Sequence, residues 1–103
     1  MLTPQAIEDF KGFLDNNIAY AKVTVNGEAK KIPIHRRERL KDGRVAVYLN
    51  ITPQAGTAAT IQRVQLYNKN KQLWADKTEQ IELSNVQEGA FYRFVFRFVE
   101  QEV

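Results

Sequence analysis

Ile18-Ala19-Tyr20-Ala21-Lys22-Val23-Thr24-Val25-Asn26-Gly27 is the stretch that decides the fold. Its period is two, with Ala19, Ala21, Val23 and Val25 on one side and Tyr20, Lys22 and Thr24 on the other, as a strand lying on a core requires. Asn26-Gly27 follows at once, the dipeptide that accepts positive φ at both central positions of a type I′ turn, so a hairpin closes here. Ala29 to Ile34 is the returning strand. Pro33 has no N–H for a ladder, which places this strand at a sheet edge or ends its pairing there.

Downstream, the same period recurs. Asp42-Gly43 is a turn that introduces Val45, Val47, Leu49 and Ile51 on one face, with Ala46, Tyr48 and Asn50 on the other. Thr52 to Thr60, with Pro53 and Gly56, reads as a mobile loop. Ile61 to Tyr67, Gln72 to Lys77 and a short Ile81–Leu83 segment follow. The last strand, Ala90 to Val99, carries Tyr92, Phe94, Phe96 and Phe98 on one face and Arg93, Val95, Arg97 and Val99 on the other. The aromatic face reads as the middle of a core, since burying one Phe is worth about 1.5–3 kcal/mol.

Upstream, the period is helical. Thr3-Pro4 is a cap followed by a proline at the first helical position, and Ala6, Ile7, Phe10, Phe13 and Leu14 recur every three or four residues. A helix of about 4–14 is predicted. So short a helix is marginal alone, so its apolar face is expected to dock on one sheet or on a neighbouring subunit. Seven strands without a second helix predict an all-β antiparallel sandwich, Ig-like or jelly-roll-like, with one N-terminal helix. The 103 residues form a single domain (1–103), with the sandwich over about 18–99.

Composition removes chemistries. The chain has no Cys and one His, which excludes disulfides, thiolate metal sites and Cys nucleophiles. No cofactor is expected. No apolar run reaches the ~20 residues of a bilayer span, so no membrane role is expected. Glu8, Asp9 and Asp15 stand where an export signal would be basic and then apolar. The five glycines stand singly and form no phosphate-cradling loop. His35 has no Cys, second His or carboxylate cluster near it and is expected to have no catalytic or metal role. Ser84, the sole serine, lies in no Gly-x-Ser-x-Gly elbow. The chain is not expected to be an enzyme.

The net charge of +3 is local. Residues 30–44 hold Lys30, Lys31, Arg36, Arg37, Arg39, Lys41 and Arg44 against Glu38 and Asp42, a surplus of five, while the other residues sum to −2. Such a segment suits a polyanion or an acidic partner, although charge runs more often simply solvate a connection between strands. No aromatic residue falls between Tyr20 and Tyr48 to offer stacking. The mixture Phe91-Tyr92-Arg93-Phe94-Val95-Phe96-Arg97-Phe98 is that of an RNA-binding sheet strand, yet the glycines and interleaved helices of an RNA-recognition fold are missing. Nucleic acid therefore ranks behind protein partners. Trp74 suits the core, or an exposed anchor for a sugar or a protein.

The order of motifs is similar to that of small structural proteins from the tail modules of Gram-positive phages and prophages. The resemblance rests on Leu2-Thr3-Pro4, Tyr20 to Gly27, Asp42 to Tyr48, Arg63-Val64-Gln65-Leu66-Tyr67, Leu73-Trp74-Ala75-Asp76-Lys77 and Gln87 to Phe94. It implies a non-enzymatic assembly role in a tail tip, baseplate or fibre, as a homo-oligomer in contact with other tail or baseplate proteins. It also implies location in the bacterial cytoplasm on expression from a prophage, and in the virion after assembly. The alternative is a module binding a polyanion or a cell-surface glycan. The candidate surface for either is Lys30, Lys31, Arg36, Arg37, Arg39, Lys41, Arg44 and Trp74.

Overall fold

A computed structural model describes residues 1–52, 58–83 and 90–99. One helix, α1 (Pro4–Asn17), precedes seven strands: β1 (Ile18–Val25), β2 (Glu28–Pro33), β3 (Arg36–Arg39), β4 (Val45–Ile51), β5 (Ala59–Asn68), β6 (Leu73–Leu83) and β7 (Ala90–Phe96). They form two antiparallel sheets, ordered β2-β1-β5-β6 and β3-β4-β7. The all-β sandwich with one helix is thus the observed fold. An immunoglobulin constant domain orders its four-stranded sheet 1-2-5-4, so the likeness lies in two packed antiparallel sheets and not in strand order.

The core is aliphatic and drawn from both sheets. Ala21, Val23, Ile61, Val64 and Leu66 face Val45, Val47, Leu49 and Ile51, all buried. Tyr92, Phe94 and Phe96 flank this cluster from β7 and stay partly exposed. They are the rim of the core, because β7 is an edge strand. Phe98 lies past the strand end and is exposed.

Asn26 (φ 51°) and Gly27 (φ 81°) make the expected turn, closing on the pair Val25–Glu28. The turn is docked on β5: Asn26 Oδ1 accepts from Thr60 N at 2.8 Å, and Gly27 N donates to Gln62 Oε1 at 2.7 Å. A register shift between Ile18 and Tyr20 changes the facing of β1, so Ile18 is buried beside Ala21 while Ala19 is exposed. Pro33 ends β2, which is indeed an edge strand. The chain then passes through Ile34 and His35 directly into β3 of the other sheet, where His35 N donates to Tyr48 O at 2.9 Å.

Three boundaries differ from expectation. The basic Arg36–Arg39 run is a strand paired with Val45–Tyr48, not a solvated connection. The two segments expected around 72–77 and 81–83 are one strand, β6, the longest among the described residues. The helix runs one turn further, to Asn17, because Asn17 Nδ2 donates to Phe13 O at 2.7 Å and Lys69 N donates to Asn17 O at 3.1 Å. Thr3 caps its start as expected, accepting from Ala6 N. Most of the expected 52–60 loop (residues 53–57), and Ser84, lie outside the described residues; Ala59 and Thr60 already belong to β5.

Candidate functional site

The helix is held at one side and bare on another. Arg39 of β3 reaches it with Nε and Nη2 on Glu8 Oε1 (3.1 and 3.0 Å) and Nη1 on Asp15 Oδ2 (2.5 Å). Burial works against the Arg39 cation, but the bonds from Asp15 and Glu8 outweigh it and hold its pKa above the ordinary value. Leu14 is the one buried side chain of α1. Ala6, Phe10 and Phe13 point elsewhere: the phenyl rings are 53% and 60% exposed, and with Asp9 they line a shallow apolar groove. Docking of the expected apolar stripe is therefore partial, because at about 100° per residue Phe10 lies roughly 40–60° and Phe13 roughly 100–120° around the helix from Ile7 and Leu14.

Trp74 continues this bare face. The Asn68–Lys71 turn explains how it arrives there. Asn68 is buried, its Oδ1 accepts from Asn70 N (3.0 Å) and Gln72 N (2.9 Å), and Lys71 takes a positive φ of 63°. The Lys69–Asn17 bond ties this turn to the helix end. Trp74, just past the turn, is 40% exposed and stacks on Phe13 at 6.2 Å between ring centroids. It is not a core residue; its neighbour Leu73 is also exposed.

The basic segment does not form one patch. Arg37 and Arg39 face the helix side, with Arg37 Nη2 donating to the Ile18 carbonyl at 2.5 Å. Lys31 belongs to the outer face of the four-stranded sheet, its Nζ 4.3 Å above the Tyr20 ring. Tyr20 stacks on Tyr67 at 5.2 Å, and Lys22 lies 5.0 Å above Tyr67. Lys30 and Lys41 are exposed, on β2 and in the β3–β4 turn. Arg36 and Arg44 serve the outer face of the three-stranded sheet. Arg36 pairs with Glu38 at 2.9 Å and lies 4.5 Å over the Tyr48 ring. Arg44 pairs with Asp42 at 2.6 Å. The Arg44 backbone N–H, reinforced by its side chain, holds the Asp42 carboxyl below the usual range.

The outer face of β3-β4-β7 joins candidate arginines to Tyr48, Phe91, Arg93 and Arg97, which lie outside the candidate surface read from the sequence. Register pairs Arg36 with Tyr48 and Tyr48 with Arg93, so a tyrosine ring stands between two arginines. The next row pairs Asn50 with Phe91, whose ring is 72% exposed and 5.6 Å from that of His35. In the other direction Val95, Arg97, Arg44 and Asp42 line a polar groove. The signal was the Arg93–Val95–Arg97 alternation, whose value depended on Tyr48 being the neighbour. Among the described residues, no group of three His, Asp or Glu side chains converges as a metal site, and no helix is long and apolar enough to cross a membrane.

Fold and surface together define a small two-sheet β domain with one helix, an apolar helix face and a basic, ring-bearing sheet face. Comparison with protein-family models, curated proteins and solved structures gives no match.

Proposed function

We propose that this chain is a non-enzymatic assembly module acting through protein–protein contacts, first with a second copy of itself, as a tail-associated component of a phage or prophage virion. The observation that carries the reading is the bare face of α1. Phe10 and Phe13, more than half exposed, continue into Trp74, and contiguous apolar surface of this kind marks an interaction site. A second copy is the simplest occupant, because one helical stripe packed on its own symmetry mate makes an isologous, closed interface. The phage setting comes from the motif resemblance, which also implies cytoplasmic synthesis before incorporation into the virion and contacts with other tail or baseplate proteins.

Light scattering across a wide concentration range tests the contact. The wild type is expected to self-associate, and Phe10→Asp to remain monomeric with an unchanged circular dichroism spectrum. A wild type that is strictly monomeric at every concentration sinks the reading. Neighbouring reading frames test the setting: tail or holin genes support it, and a metabolic operon overturns it.

A further inference from the structure

We propose that the outer face of the three-stranded sheet binds single-stranded nucleic acid, a role separate from the assembly contact on α1. Four arginines share this face: Arg36 and Arg93 flank Tyr48 in one row, and Arg44 and Arg97 line the groove at the end of the sheet. Against them stand Glu38 and Asp42, each spent on one arginine. Among the described residues, Arg93 and Arg97 have no ion-pair or hydrogen-bond partner, so two guanidinium groups remain for phosphate oxygens.

Charge alone would suit any polyanion. The rings narrow the choice. Phe91 stands almost clear of the sheet beside His35, although its strand neighbours Tyr92 and Phe94 turn to the core, and Tyr48 already carries a guanidinium plane on its face. Single-strand binders combine a basic groove with rings on which unpaired bases stack, whereas the bases of a duplex are stacked on one another and leave such rings idle. A second copy of the same face does not fit here, because arginines would meet arginines.

The experiment is fluorescence anisotropy with a labelled oligo-dT of about 12 nucleotides, alongside a duplex of equal length, inorganic polyphosphate and poly-glutamate as competitors. The single strand is expected to bind, and raised salt to weaken it. Phe91→Ala, a change at an exposed position, should weaken the single strand by roughly five-fold or more, the loss of one stacked base. Arg93→Gln with Arg97→Gln should flatten the salt dependence, by about 0.7 in logarithmic slope for each phosphate contact removed. Phe10→Asp should leave binding intact, which separates this face from the assembly surface. Circular dichroism melting shows that each variant is folded. Absence of binding at low salt, equal affinity for the duplex, competition by poly-glutamate as strong as by unlabelled strand, or an unchanged Phe91→Ala variant would each overturn the proposal.

Discussion

Tyr92 shows how a single side chain couples the two sheets. Its ring lies on the inner side of β7 against the core, and its hydroxyl feels the carboxylate of Glu79 on β6. Burial first, and then the nearby Glu79 carboxylate, raise its pKa above the ordinary value of 10. The stability this contributes is full below the unfolded-state pKa of about 10 and is lost as pH rises beyond it, because the unfolded chain releases the proton first. Urea unfolding of wild type and Tyr92→Phe at pH 8 and pH 11 reads the effect: the difference between them should move in the variant's favour at the higher pH. An unchanged difference would mean that Tyr92 ionises normally. On the outer face, Arg63 makes two bonds to Asp76 and holds that carboxyl below the usual range, an exposed pair of little weight for stability.

Among the elements, α1 and β3 depend on each other. Gly12 costs the helix about 1 kcal/mol relative to Ala, and burial of Leu14 alone is a modest return, so the Arg39 bonds to Glu8 and Asp15 carry much of the attachment. Arg39→Gln is expected to loosen the helix by about 1 kcal/mol, seen as roughly five-fold faster amide exchange at Ile7 to Leu14 while β1 is unaffected. Uniform acceleration through both elements would refute a local clip. The same pair shows where the sequence stops being legible. A strand reading Arg-Arg-Glu-Arg has no apolar alternation, because its inward positions Arg37 and Arg39 reach past the core to the Ile18 carbonyl and the helix. β6 hid likewise: its middle, Asp76 to Gln80, is largely exposed, so its polar residues read as a break. By contrast β1, β4 and the Asn26-Gly27 turn were readable, because each contributes a full apolar face or a required positive φ. Of the candidate surface, the charges were legible and their grouping was not. Tyr48, Phe91 and Arg93 meet only through the β4–β7 register.

At the scale of the whole fold, the thirteen buried apolar residues among those described come almost entirely from β1, β4 and β5, so stability is concentrated in the middle strands. Leu49→Ala should cost about 2–5 kcal/mol, a large part of the ~5–15 kcal/mol of a domain this size, whereas Leu73→Ala at the surface should stay within about 0.5 kcal/mol. Urea midpoints compare the two; equal losses would place the core elsewhere. The corner at Pro33 bears on how such a core is reached. The β1–β2 and β3–β4 hairpins are consecutive in the chain yet belong to different sheets, whereas the pairings β1–β5 and β4–β7 join residues about 36 to 51 positions apart. The first half of the chain can seed both sheets while loop closure is still cheap, and the second half then arrives at two templates already joined by a rigid elbow.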